Sequence, residues 1–103
     1  MSRPNDPLSR LLGLARRAGR LVWGMDAVLT ALAQSRVELI LLATDAAPAT
    51  IRKLKLACAK QPHVVCRSWG TTQELATFSG KERTAILAVC DENFAAGIIK
   101  QLP

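Results

Sequence analysis

Two short, almost continuously apolar runs constrain this sequence more than any other feature. They occupy residues 39–43 and 84–89. Runs of this length are typical of strands covered on both faces, because a strand with one face in water alternates apolar and polar residues. Segments with helical periodicity lie before, between and after these runs. Helices that alternate with strands predict an α/β protein with a three-layer α/β/α sandwich, and the 103 residues fit one domain.

Helix caps and turn residues predict where the elements begin and end. Asn5 or Asp6 caps the first helix, Pro7 occupies its first position and Gly19 stops it, while residues 1–6 are expected to be loose. Strands are predicted at residues 21–23, 39–43, 64–66 and 84–89. Helices are predicted at about residues 25–34 and 48–60. A short helix is capped by Thr71 or Thr72 and stopped by Gly80, and a last helix is capped by Asp91.

The first helix is expected to bury one apolar face and expose a basic one. Its apolar stripe consists of Leu8, Leu11, Leu12, Ala15 and Ala18. On the helix opposite this stripe lie Arg10 and Arg17, and Arg20 falls beside them just after the helix.

The charge is unevenly distributed along the chain. The net charge is +6. Residues 1–24 carry five arginines against Asp6 alone, and residues 46–73 carry five basic side chains and no acidic one. Two basic blocks in a small domain suggest a polyanionic partner, with nucleic acid favoured. An acidic membrane surface, an acidic protein and a solvated surface without a partner remain alternatives.

The cysteines and the histidine give little support for a metal or a disulfide framework. The three cysteines are Cys58, Cys66 and Cys90, an odd number without a C-x-x-C spacing. Cys58, His63 and Cys66 are close in sequence, but a structural zinc site requires four ligands. We therefore expect Cys58 to face the core from a helix and Cys66 to lie in a strand.

Catalytic patterns are also weak. His63 is the one histidine, and no glycine-rich phosphate loop or dinucleotide fingerprint occurs. The acids Asp45, Asp91 and Glu92 follow strands, where loop or capping roles are more common than metal binding. We expect no enzymatic activity, no cofactor and no small-molecule substrate. The sequence has no run long enough to cross a membrane and no signal-peptide pattern, so we expect a cytoplasmic protein.

The junction between the first strand and the second helix is the most informative segment. Arg20 precedes the strand, and Gly24, Met25, Asp26 and Ala27 open the helix. The amino end of a helix offers unpaired N–H groups and positive potential, to which phosphate oxygens bind. The alternative is structural: Gly24 permits a tight turn and Asp26 caps the helix.

Several blocks together resemble a known family. Residues 12–21 followed by Gly24 resemble the start of the bacterial YlxQ-type proteins, which belong to the superfamily of ribosomal protein L7Ae, a group of kink-turn RNA binders. Residues 39–46 resemble its second strand and loop, and Thr50, Lys53 and Cys58 fit its third helix. Residues 80–89, with Asp91 and Phe94, resemble its closing strand and helix.

The resemblance implies a four-stranded mixed sheet between helix layers, no enzymatic activity and an RNA-binding surface. In the kink-turn binders, a Gly-x-Asn-Glu pattern opens the second helix and a Lys follows one turn later. This chain keeps Gly24, but Asp26, Ala27 and Thr30 stand at the Asn, Glu and Lys positions. Ionised Asp only accepts hydrogen bonds, and Ala cannot bond a base edge. The implied RNA role therefore carries over better than the kink-turn specificity.

We therefore hypothesise a monomer that binds structured RNA, ribosomal or ribosome-associated. The start of the second helix and the arginines of the first would form one phosphate-binding surface. Residues 45–48 and 81–84 are expected to border it. The alternatives are a protein-interaction module that kept the fold and lost RNA binding, and a substrate-recognition domain of an RNA-modifying enzyme. The candidate RNA-binding residues are Arg16, Arg17, Arg20, Gly24, Met25, Asp26, Ala27, Thr30, Lys53, Lys55 and Arg83.

Overall fold

The computed structural model describes residues 6–80 and 83–103, so Asn5, the alternative cap, and Lys81 and Glu82 of the predicted 81–84 loop lie outside it. None of its helices, among the residues described, is long and apolar enough to cross a membrane. In chain order the elements are α1 (Pro7–Arg17), β1 (Leu21–Trp23), α2 (Met25–Ala33), β2 (Leu39–Leu42), α3 (Pro48–Ala59), β3 (Val65–Ser68), α4 (Thr72–Ser79), β4 (Ile86–Val89) and α5 (Glu92–Gln101).

The four strands form one mixed sheet in the order β1-β4-β2-β3. β4 is antiparallel to both of its neighbours, and β2 is parallel to β3. Strands β1, β2 and β3 therefore run in one direction and β4 in the other. The mixed sheet implied by the family resemblance is confirmed.

Each face of the sheet is covered by its own core, because successive side chains of a strand point to opposite faces. Leu39, Leu41, Leu87 and Val89 pack with buried residues of α1, α4 and α5. Their neighbours in β2 and β4 pack with buried residues of α2 and α3 on the other face. Both central strands are fully buried, and the three-layer sandwich predicted from the apolar runs is confirmed.

Three helices begin at the predicted side-chain caps. The carboxylate of Asp6 accepts a hydrogen bond from the Leu8 amide at 2.9 Å, and that of Asp91 accepts one from the Phe94 amide at 2.9 Å. Thr71, rather than Thr72, caps α4 in a capping box with Glu74. In each case the side-chain oxygen satisfies an amide that has no partner inside its helix.

Small differences from the sequence prediction lie at the element ends. Ala18 was assigned to the buried stripe of α1 but is exposed, because α1 ends at Arg17 and Ala18 is its C-cap. β4 begins at Ile86 rather than Thr84, since the Thr84 amide bonds the Thr72 carbonyl at 3.0 Å and not a strand. β3 comprises Val65–Ser68 and so lies slightly later than predicted.

Candidate nucleic-acid interface

One edge of the sheet collects most of the candidate residues. There β1, β2 and β3 end and β4 begins, as the strand registers require. We call this edge the loop edge and define it by residues 24–26, 44–47, 69–72 and 83–85. Backbone hydrogen bonds join these segments: the Gly24 amide bonds the Ile86 carbonyl at 3.2 Å, and the Thr44 amide bonds the Gly70 carbonyl at 2.7 Å.

Helix α2 starts at the loop edge without a side-chain cap. Its N-cap is Gly24, with φ 86° and ψ 152°, and no side chain among residues 6–80 and 83–103 caps the first turn. The amides of Met25, Asp26 and Ala27 precede the first helical hydrogen bond, which the Val28 amide donates to the Gly24 carbonyl at 3.0 Å. These three amides are therefore available to an outside acceptor. They combine hydrogen-bond donors with the positive end of the helix dipole.

Helix α3 also begins at this edge without a side-chain cap. Its N-cap is Ala47, and Pro48 follows at the first helical position. Helices α1, α4 and α5, in contrast, have amides of their first turns bonded by side chains. Within the described chain, the two uncapped starts therefore lie at the loop edge. The sequence indicated the open start of α2 through Gly24 but gave no such sign at α3 beyond an alanine before a proline.

Arg16 reaches the loop edge from the last turn of α1. Its guanidinium carbon lies 5.7 Å from the centroid of the Trp23 ring, in a cation–π contact. Its Nη2 lies 3.1 Å from the position that a Cβ on Gly80 would occupy. Trp23 packs with the core on the α1, α4 and α5 face of the sheet, whereas α2 covers the opposite face. The contact therefore places Arg16 at the end of β1, next to the loop edge, and its position beside the amides of α2 stays a prediction. The side chain is exposed and, within residues 6–80 and 83–103, takes part in no ion pair.

Arg20 lies at the other end of β1 from Gly24, so the structure does not bring it together with Arg16. Its carbonyl accepts a hydrogen bond from the Cys90 amide at 2.8 Å, beyond the end of β4. Residues 20 and 24 flank the two ends of β1. Four steps of extended chain therefore separate them by about 13 Å. Arg17 is exposed on the outer flank of α1, close to Arg10. Of the three arginines, the structure brings only Arg16 to the loop edge.

Arg83 is at the loop edge but is engaged by other side chains. Its Nη2 donates to the Thr72 hydroxyl at 2.8 Å and lies 3.4 Å from Asp45 Oδ2. Asp45 also accepts from the amide and hydroxyl of Thr72, at 2.7 and 2.9 Å. These two hydrogen bonds, and to a lesser extent the charge of Arg83, hold the pKa of Asp45 below its ordinary value. The cluster therefore keeps a carboxylate ionised at the loop edge and offsets its charge.

The other candidate residues on α2 differ in how far their side chains are exposed. Met25 is half-buried and packs against the core between α2, α3 and the sheet. Only its amide is therefore at the surface edge of the helix. Asp26, Ala27 and Thr30 are exposed, and three- and four-residue spacings place Thr30 on the same side as Asp26 and Ala27. The exposed carboxylate of Asp26 stabilises the start of the helix and opposes the approach of a phosphate.

The two lysines on α3 are exposed but are not both near Arg16. Burial raises the pKa of the Cys66 thiol, and the positive charge of Lys55 offsets part of this rise, so this lysine lies toward β3. β1 and β3 are the two outer strands of the sheet. Lys55 therefore lies on the opposite side of the molecule from Trp23. The structure records no hydrogen bond or ion pair for Lys53 within the described residues.

The half-buried thiols of Cys58 and Cys66 lie close together, and the cysteines are unpaired by disulfides. Burial, together with the neighbouring Cys66, raises the pKa of the Cys58 thiol to about 11. Both thiols therefore stay protonated at neutral pH, which makes them weak metal ligands and nucleophiles. His63 is exposed. In the part of the chain that is described, no cluster of three or more His, Cys, Asp or Glu could hold a metal ion.

Sequence reasoning missed two contacts that shape this edge. The cluster of Asp45, Thr72 and Arg83 joins residues up to 38 positions apart. Arg16 and Trp23 meet across the turn between α1 and β1. An acid directly after a buried strand was a signal for the first contact, but its partners depend on strand order. That order became available only with the fold.

Taken together, these features define a small α/β/α domain with one edge that carries two uncapped helix starts and, next to them, an exposed arginine. Its sequence matches the family described as ribosomal protein L7Ae/L30e/S12e/Gadd45 over residues 6–99. The chain belongs to this family.

Similar proteins fit this assignment. The chain is 36% identical over 94 residues to the RNA-binding protein YlxQ of Bacillus subtilis (strain 168), which covers 89% of this chain and 91% of that protein. A solved structure titled as a protein with unknown function from Bacillus halodurans C has a TM-score of 0.86 and 29% identity, covering 94% of this chain and 97% of the other. A Giardia lamblia 15.5kD RNA binding protein shares the fold, with a TM-score of 0.73 and 18% identity over 94% and 86% of the two chains.

Proposed function

We propose that this protein is a non-catalytic RNA-binding protein that holds structured RNA by its phosphate backbone at the loop edge. The observation that carries this proposal is the open start of α2 at an edge of the sheet that an exposed arginine also approaches. Among the described residues no side chain caps the first amides of α2, and Arg16 lies over Trp23, the last residue of β1. Amides and a guanidinium together suit phosphate oxygens. The similarity to a protein named as RNA-binding supports the same partner.

We further propose that the RNA is ribosomal or ribosome-associated and that the protein acts in the cytoplasm as a monomer. The family description, which includes ribosomal proteins, supports the choice of RNA. The net charge of +6 supports attraction to any nucleic-acid backbone.

Selection of kink-turns is expected to be weak. The three exposed side chains along the start of α2 are a carboxylate, a methyl group and a hydroxyl, from Asp26, Ala27 and Thr30. A good two-pronged contact to a base edge contributes roughly 1–3 kcal/mol of discrimination. The Asp26 carboxylate can only accept hydrogen bonds, and the Ala27 side chain can neither donate nor accept them. Backbone contacts position an RNA without reading its sequence.

The test is a fluorescence anisotropy titration with two labelled RNAs at the same salt concentration. One contains a kink-turn, and the other is an uninterrupted stem of equal length. We expect both to bind, with affinities that differ by less than about tenfold, or 1.4 kcal/mol. Absence of binding to either RNA at low salt would refute the proposal.

A second candidate is a protein-interaction module, and the exposed Asp26 at the start of α2 favours it because this carboxylate repels phosphate. A pull-down before and after nuclease treatment separates the two functions. Retention of a protein partner after the RNA is removed, together with no RNA affinity, would support this second candidate.

A further inference from the structure

A second basic feature lies on the outer flank of α1, away from the loop edge. A surface depression of about 210 Å³ is lined by Ser9, Arg10, Gly13, Leu14 and Arg17. These positions are spaced by three and four residues, so they share one side of the helix. The depression exists because Gly13 has no side chain, and a Cβ added there would meet nothing within 4 Å.

Ser9 gives this depression a polar group that needs a partner. The residue is only 6% exposed. Its hydroxyl oxygen is buried and makes no hydrogen bond in the structure. Buried polar groups are nearly always bonded, so this hydroxyl at the wall of the depression is a candidate donor to a bound group. A hydroxyl can donate a hydrogen bond to an anionic oxygen.

Arg17 supplies the charge. It is exposed at the end of α1, and the structure shows it in no ion pair within residues 6–80 and 83–103. A guanidinium binds phosphate through two parallel N–H donors. The depression is smaller than the roughly 300–1,000 Å³ of pockets for drug-sized ligands, so it fits a single small group and not a whole nucleotide.

We propose that this depression is a phosphate-binding site, with the Ser9 hydroxyl and the Arg17 guanidinium as donors and Gly13 as its floor. The phosphate group belongs either to free inorganic phosphate or to the backbone of a bound RNA. The site is separate from the loop edge and does not depend on it. In the RNA case, it extends the contact surface along α1.

The test uses two-dimensional ¹H–¹⁵N NMR of the full chain, titrated with inorganic phosphate at constant ionic strength and with chloride as the reference salt. Saturable shifts of the Ser9, Gly13 and Arg17 amides are expected with phosphate only. Arg17→Gln should weaken phosphate binding at least fivefold, whereas Arg52→Gln, an equal charge change at an exposed position on α3, should leave it unchanged.

Two further variants distinguish binding in the depression from a general attraction of phosphate to the positive charge of the protein. Gly13→Leu places an apolar side chain in the depression, where its Cβ meets nothing within 4 Å. It should abolish the saturable shifts, and the spectrum itself reports whether the variant is folded. Ser9→Ala should weaken binding with the fold intact. Equal shifts in phosphate and chloride, full affinity in Gly13→Leu, or equal losses in Arg17→Gln and Arg52→Gln would each overturn the proposal.

A titration with short single-stranded RNA then identifies the source of the phosphate. Shifts at Ser9 and Gly13 with RNA assign the site to the RNA backbone, and shifts with inorganic phosphate alone assign it to the free ion. Arg16→Gln should weaken RNA binding at the loop edge while leaving the phosphate affinity at Ser9 unchanged. Failure of this site is therefore distinguishable from failure of the proposed RNA-binding function.

Discussion

The backbone conformation of Gly24 determines how the chain enters α2 at the loop edge. Its φ of 86° and ψ of 152° lie in a region that is essentially restricted to glycine. A side chain there would meet nothing within 4 Å, so the restriction is conformational and not steric crowding. The same conformation leaves the start of α2 without a side-chain cap. A glycine is thus required for the turn, and because it has no side chain it also leaves the amides uncapped.

We expect Gly24→Ala to destabilise the protein by about 1–3 kcal/mol, because alanine does not adopt this conformation without strain. Urea denaturation measures the change. Gly13→Ala is the matched control: Gly13 lies inside α1, its added Cβ also meets nothing, and the change should stabilise the helix by about 0.5–1 kcal/mol. Equal effects of the two substitutions would contradict the conformational explanation.

Among the helices, α4 depends at its start on the carboxylate of Asp45, which comes from another loop. Asp45 bonds the amide and hydroxyl of Thr72, and Arg83 adds its charge. These contacts lower the pKa of Asp45 from its ordinary value of 3.8. The carboxylate therefore stabilises the fold fully above that value, and the stabilisation is lost as the pH falls through the lower folded pKa.

Asp45→Asn tests this linkage. We expect the variant to be less stable than the parent at neutral pH, and the difference should shrink as the pH falls below 4. Urea denaturation across a pH series measures both. A difference between the two proteins that stays constant down to the acid limit would show that the charge of Asp45 does not stabilise the start of α4.

Helix α2 offers a test of what its altered side chains do. The triple variant Asp26→Asn, Ala27→Glu and Thr30→Lys restores the pattern of the kink-turn binders at exposed positions. The affinity for the kink-turn RNA should rise at least tenfold relative to the uninterrupted stem, because the variant introduces an amide that donates and accepts, a carboxylate that accepts from base amino groups, and a cation. Thr77→Lys, an exposed position on α4, controls for charge alone. An equal gain for both RNAs would argue against base reading by this helix.

The sequence predicted the elements well because their signals are local. The apolar runs of β2 and β4, the caps Asp6 and Asp91 and the stop at Gly80 each depend on a few adjacent residues. Contacts across the fold could not be read in this way. Arg20 was placed beside Gly24 because they are near in sequence, although an extended strand holds them apart. Nothing in the sequence near Arg83 indicates its bonds to Asp45 and Thr72, which come from distant segments.

At the scale of the whole molecule, the structure divides the basic residues among separate surfaces. Arg16 is at the loop edge, Arg17 is on the outer flank of α1, Arg20 is beyond the end of β4, and Lys55 lies toward β3. The net charge of +6 attracts RNA from every direction. The geometry of the loop edge is what should fix the position of the bound backbone.

The most direct test compares Arg16→Gln with Arg20→Gln, which remove the same charge from neighbouring positions in the sequence. RNA affinity is measured by fluorescence anisotropy over a series of salt concentrations. Each phosphate contact on a duplex contributes a slope of about 0.9 to the fall of log affinity with log salt. We expect Arg16→Gln to reduce the slope by about one such contact and Arg20→Gln to leave it almost unchanged. Equal slopes for both variants, or a larger loss in Arg20→Gln, would contradict the placement of RNA at the loop edge.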